Sequence, residues 1–266
     1  MALEATRIIL LFDPEHLTAA NFRKKRLVTI QKESTRGFTN TLTTAAQQEL
    51  RFLDSILTSP LHRQSKSPTL WHHRYWLFSN FLLTTTSYSP FNDPYDPLVK
   101  SEFDAVFKAG EQHPKNYYAW QYARRLIELL VSISQQSETQ SNRAQLDVQD
   151  IVKHSASRVK DWCLRHPSDT SGWSFLLFIL GYVDNLPTRN GIVSNILDLT
   201  FGFRWQHESL WAFIRTALSD PSILADGQAP LIERLYGYEK ERERDNYTTS
   251  VSAALRWIET NKITVP

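Results

Sequence analysis

The sequence predicts an all-α protein, a crescent-shaped α-solenoid of stacked helical hairpins, and three observations carry that expectation. One tryptophan-bearing pattern recurs. HPKNYYAWQYARRLIELL at residues 113–130 has counterparts in SPTLWHHRYWLF around Trp71, DTSGWSFLLFIL around Trp173 and HESLWAFIRTAL around Trp211, with a decayed copy in LTAANFRKKRLV, where Ala20 takes the tryptophan place. A second helix-compatible segment precedes most copies, at 45–57, 101–112 and 151–165. Paired helices repeating every few tens of residues bury their apolar faces only by stacking on their neighbours, which is the physical logic of a solenoid.

Taken in order, residues 15–32 read as a basic helix with Leu17, Ala20, Leu27 and Ile30 facing inward. Its Arg23, Lys24, Lys25 and Arg26 form the densest positive charge in the chain, either a solvated face or a patch facing a partner or a phosphate. Residues 33–44 are rich in Ser, Thr and Gly and read as a loop. The next repeat, 45–86, pairs a helix with a second one opening at Trp71 after a loop at 62–68. At that opening Trp71, His72, His73, Arg74, Tyr75 and Trp76 crowd together. Adjacent histidines point roughly 100° apart on a helix and do not converge on one metal ion, and no zinc-ligand spacing occurs elsewhere.

YSPFNDPYDP at 88–97 is an irregular connection because of its three prolines. In the repeat at 101–133, Pro114 stops the first helix, Asn116 caps the second, and Trp120, Ala123, Ile127 and Leu130 fall three or four apart in one apolar stripe. The polar stretch 134–145 reads as a mobile loop. Two further repeats follow at 151–183 and 192–219. Helices within 228–261, with a charged run at 239–245, would cap the array, giving one helical-repeat domain over 1–266.

Composition narrows the function classes. The chain has 266 residues, 41% hydrophobic and 22% charged, which is ordinary for a globular protein with a substantial core. Thirty Lys and Arg stand against 28 Asp and Glu, and a net charge of +2 provides no global field for nucleic acid or a membrane surface. The longest uncharged apolar run, 171–183, is shorter than the roughly 20 residues a spanning helix needs. The run at 8–12 lacks the flanks of a signal peptide, and a single cysteine, Cys163, excludes an internal disulfide and suits the core of a protein in a reducing, cytoplasmic setting. There is no glycine-rich phosphate loop, no G-x-S-x-G and no H-E-x-x-H, so a self-sufficient enzyme is not indicated.

The ordered patterns LLFDPEHLTAANFRKKRL, TLWHHRYWLF, EFDAVFKAGEQHPKNYYAW, VKDWCLRHPSDTSGW and HESLWAFIR resemble the repeats of the protein prenyltransferase α-subunit family over roughly residues 3–218. That resemblance implies a non-zinc subunit of a heterodimer that transfers geranylgeranyl or farnesyl to a protein cysteine. Zinc and the isoprenoid would reside in a partner β subunit, with no cofactor in this chain. The expected partners are that β subunit, an isoprenoid diphosphate and a protein with an acceptor cysteine. By the PKNY motif, Lys115 and Tyr117 would assist diphosphate departure beside Asn116 and Tyr118; by repeat order the diphosphate contact falls instead to Lys66, with Arg74 as the arginine three residues after the tryptophan. That arginine is replaced by Ala123, Leu176 and Ile214 in the other copies. Two further readings stand beside it: a helical-repeat adaptor that binds another protein without transferase activity, and a stand-alone enzyme acting on an isoprenoid-like small molecule.

Overall fold

A computed structural model describes residues 2–34, 39–83, 97–136, 142–240 and 246–261. Among them every regular element is helical. The chain divides into two compact units, Met1–Val148 and Gln149–Pro266.

The first unit contains α1 (Ala2–Phe12), α2 (Leu17–Ser34), α3 (Thr39–Leu57), the short α4 (His62–Ser65), α5 (Pro68–Leu77), α6 (Pro97–Gln112) and α7 (Tyr117–Gln136). A π turn, Phe78–Leu82, continues α5. At its centre α5 packs against α2, α3 and α7, while α6 packs on α7. The helix α8 (Asn142–Arg165) carries the chain into the second unit, which holds α9 (Thr170–Leu180), α10 (Leu186–Phe203), α11 (Glu208–Ser219), α12 (Pro221–Leu224), α13 (Gln228–Lys240) and α14 (Asn246–Thr260). There α11 is the hub, packed by α9, α10, α12, α13 and α14.

The recurrent sequence pattern corresponds to one recurrent helix entrance. Each tryptophan stands four residues after a capping position, and its backbone N–H bonds the carbonyl of that position: Trp71 to Ser67, Trp120 to Asn116, Trp173 to Asp169 and Trp211 to His207, with Ala20 to His16 in the decayed copy. The caps accept from the third residue onward, since Ser67 Oγ takes the N–H of Leu70, Asn116 Oδ1 that of Ala119, Asp169 Oδ1 that of Gly172 and His16 Nδ1 that of Ala19. These bonds satisfy amide groups that a helix start leaves without partners. Three indoles add a further bond, from Nε1 to the carbonyl six residues earlier: Trp71 to Ser65, Trp173 to Pro167 and Trp211 to Trp205. All four tryptophans are 3% exposed or less, which makes them core anchors as expected.

At the position three residues after the tryptophan, the copies divide. Arg23 in α2 and Arg74 in α5 each form a buried bidentate pair with a carboxylate on the next long helix. Arg23 Nε and Nη2 donate to Glu49 at 2.8 and 2.6 Å, and Arg74 Nε and Nη2 to Glu102 at 2.6 and 3.0 Å. The later copies place the apolar residues Ala123, Leu176 and Ile214 there, all fully buried. Helix pairing is thus secured by a charged clamp twice and by apolar packing three times. Close approach is required once more between α8 and α9, where a Cβ on Gly172 would lie 2.6 Å from Cζ3 of Trp162.

Several boundaries differ from the sequence expectation. Residues 2–12 form a helix where only an apolar run was read. The expected loop at 33–44 is largely helical, because α2 runs to Ser34 and α3 begins at Thr39, and the expected loop at 134–145 is invaded by α7 to Gln136 and α8 from Asn142. Polar composition suggested loops, yet Gln is a good helix former, Ser and Thr are only mildly disfavoured, and neighbouring packing outweighs that preference. The loop at 62–68 contains α4. Of the irregular 88–97 connection, only Pro97 lies within the described residues, where it begins α6.

Candidate functional site

The entrances of α5 and α7 lie side by side, and the anticipated site residues gather there. Lys66 Nζ donates to the carbonyl of Pro114 at 3.2 Å, and Asn116 Nδ2 donates to the carbonyl of Ser65 at 3.1 Å. Lys115, between these contacts, has φ 58°, a left-handed conformation that lets the chain reverse between α6 and α7. Its side chain points outward and is exposed. Tyr117 is 60% exposed and meets the Tyr118 ring edge-on at 5.5 Å.

Two of the anticipated residues are placed inside the structure. Asn116 is fully buried, with its side-chain amide holding both its own helix and the α4 end. Arg74 is also buried; besides Glu102 it donates to Asp54 Oδ1 at 2.6 Å, and Tyr122 Oη donates to the same Glu102. Burial alone would lower the Arg74 pKa, but Glu102, Tyr122 and Asp54 together raise it, so the guanidinium stays charged. The same burial, with Glu102 beside it, pushes the Tyr122 hydroxyl well above its ordinary range and keeps it a donor. A guanidinium enclosed in this way fastens α3, α5, α6 and α7 to one another and offers no face to a ligand.

The open feature is a groove of about 240 Å³ between α5 and α7. Pro68, Trp71, His72 and Tyr75 form one wall; Tyr118, Gln121, Tyr122 and Arg125 form the other. Both sets are spaced i, i+3, i+4 and i+7, one face of an α-helix. The Arg125 guanidinium lies 4.0 Å from the centre of the Tyr75 ring and donates from Nη1 to His72 Nδ1 at 3.3 Å. Since arginine has no acceptor, His72 carries its proton on Nε2 in this contact. Partial burial, then Lys24 and Arg125, lower the His72 pKa and favour that neutral ring. No carboxylate lines the groove, so its apolar walls carry a cationic edge.

The sequence singles out Tyr118 only through the PKNY likeness, for a diphosphate role and not for this groove; Tyr75 is marked only as part of the crowded α5 opening, and Gln121, Tyr122 and Arg125 are missed. The signal was the matching spacing in the two repeats, obscured because each set mixes aromatic, amide and charged residues and so forms no apolar stripe.

Next to the groove, His73 is fully buried, 3.5 Å from Glu49 Oε1. That contact has no ionic character. Burial first, then the positive Lys24 and Arg23, hold the His73 pKa down at about 3, and the Glu49 charge is engaged by Arg23. Among the described residues no group of three or more His, Cys, Asp or Glu side chains is placed to hold a metal ion, and no helix is long and apolar enough to cross a membrane.

Comparison with known proteins places residues 75–190 in similarity to the family described as the ECM9 middle domain. No curated protein matches the chain. The family match corrects the resemblance to the protein prenyltransferase α-subunit family. The physical reason lies in the helix entrance itself: a capping position, a tryptophan four residues on and, in three of the four copies, an indole bonded backwards form a local packing solution. PKNYYAW and its counterparts report that solution, which stabilises a helix start whatever the protein does.

Proposed function

We propose that this chain is a helical-repeat scaffold that binds another protein, and that the groove between α5 and α7 receives an acidic segment carrying one apolar anchor. The carrying observation is the groove's chemistry: facing walls of Trp71, Tyr75, Tyr118 and Tyr122, a cationic edge at Arg125 and no lining carboxylate. Aromatic walls give contact area at low entropic cost, while positive charge at the rim selects acidic flanks. Lys66 and Lys115 extend the cationic character at the helix entrances. The tandem recurrence of the entrance supports a stacked-hairpin architecture, which presents such grooves between successive repeats.

Asn116 and Arg74 support the same reading, because their polar groups hold helices together. Lys115 and Tyr117 are outward-facing, suited to the rim of a docking surface. The subunit and stand-alone enzyme readings draw on the resemblance that the family match supersedes.

The test is selection from a peptide library against the full chain, followed by affinity measurements with Tyr118→Ala and Arg125→Ala. Enriched peptides should share an aromatic or aliphatic residue flanked by Asp or Glu and should bind the variants at least ten-fold more weakly. Peptides without that pattern, or binding to both variants as tight as to the natural chain, would remove the groove from the account.

A further inference from the structure

A second cavity, of about 420 Å³, opens among α1, α2 and α3. Its lining has a division of labour. Phe52 and Leu27 are buried and Ile30 is partly so, which makes an apolar floor. Arg7, Arg26 and Arg51 stand around it with exposed side chains. Arg23 is also in the lining, but its guanidinium is engaged by Glu49, the Leu3 carbonyl and Thr6 Oγ1, and it rests 4.1 Å from the centre of the Phe52 ring.

The remaining charge balance is positive. Arg7 lies 3.4 Å from Glu4, a solvent-exposed contact worth little, and 5.6 Å from the centre of the Phe52 ring. Among the described residues neither Arg26 nor Arg51 is paired with a carboxylate. Glu49 is the other acid in the lining and it is engaged by Arg23. Every cation around the cavity is arginine, whose planar fork of donors matches the oxygens of a phosphate and whose face stacks on aromatic rings.

The geometry points to a binding site for a phosphate monoester carried on an apolar, ring-sized group, with the phosphate among Arg7, Arg26 and Arg51 and the ring against Phe52, Leu27 and Ile30. The site is separate from the α5–α7 groove, and neither reading depends on the other. Arg23 is a positioning residue: its clamp to Glu49 fixes α2 on α3 and leaves the outer arginines to the ligand. The same chemistry arises from a small phosphorylated metabolite or from a phosphotyrosyl side chain, and the measurement below separates these sources.

The probes are phenyl phosphate, inorganic phosphate, phenol and a short phosphotyrosyl peptide, titrated into the full chain by calorimetry at low and moderate salt. Phenyl phosphate should bind at least ten-fold more tightly than inorganic phosphate, phenol should not bind measurably, and added salt should weaken binding. Arg26→Ala and Arg51→Ala, both exposed and so compatible with folding, should each weaken phenyl phosphate about ten-fold or more, and Arg51→Lys should fall between. Arg63→Ala, an exposed arginine outside the cavity, should change nothing. Tighter binding of the peptide than of phenyl phosphate assigns the site to a modified protein, and the reverse to a metabolite. Absence of phenyl phosphate binding, parity with inorganic phosphate or an equal loss in Arg63→Ala would overturn the assignment.

Discussion

Replacing Arg74 with methionine tests how the first unit is held together. The change retains much of the buried stem and removes the guanidinium, leaving Glu102 with no exposed surface and only the Tyr122 hydroxyl in place of the ion pair. Breaking a buried pair from one side costs about 3–5 kcal/mol because the remaining charge is uncompensated. That is a large part of a total stability of about 5–15 kcal/mol. The partner change Glu102→Leu in the same chain removes the stranded carboxylate, so Arg74→Met/Glu102→Leu should recover about 2 kcal/mol or more of the loss. This is the arrangement the chain itself uses at Ala123, Leu176 and Ile214. Equilibrium denaturation followed by circular dichroism, with all four members of the double-mutant cycle, reads the coupling. A loss below about 1 kcal/mol for Arg74→Met, or a double variant less stable than both singles, would refute the clamp.

Three further outcomes follow from the same packing. His73 is neutral when folded with a pKa of about 3, against an ordinary 6.5, so its stabilising contribution is complete above pH 6.5. Below that the unfolded chain takes up a proton that the folded chain does not, and stability falls by roughly 1.4 kcal/mol per pH unit toward pH 3; in His73→Leu, denaturation midpoints across this window should show a shallower acid slope by about that amount, and an unchanged slope would place the titration elsewhere. Gly172→Ala should cost about 1–3 kcal/mol by overpacking against Trp162, and a neutral thermal melt would show that α8 and α9 yield freely. Trp120→Ala should cost about 3–5 kcal/mol, because the indole is 2% exposed and its removal leaves a cavity; a loss below about 1 kcal/mol would contradict its role as an anchor.

The helical class and the tryptophan anchors were legible because they follow from local chemistry. Caps, prolines and apolar spacing act within one or two turns, so Asn116, Pro114 and Trp120 announce the α7 start in the sequence alone. The charged clamps were not legible, since Arg23 with Glu49 and Arg74 with Glu102 are joined only by packing of separate helices. Arg23 therefore looked like part of a surface charge run, although it is 3% exposed. The candidate groove was not legible as a site: Tyr118 stood out only through a motif likeness read as diphosphate binding, Lys66, Lys115 and Asn116 lie outside the groove's lining, and Tyr75 and Arg125 acquire meaning only when α5 and α7 face each other. Motif likeness led furthest astray, because a stable helix entrance and a catalytic ancestry leave the same short pattern.

The central claim is that the α5–α7 groove recognises an acidic segment through Arg125 and its aromatic walls, and charge exchange tests it most directly. The affinity of a selected acidic peptide would be compared between the natural chain and Arg125→Glu, then repeated with the peptide's flanking acids replaced by lysine. The account predicts a loss of at least ten-fold for the acidic peptide on Arg125→Glu and a recovery of binding by the lysine peptide on that variant alone. Equal affinities in all four pairings would contradict it.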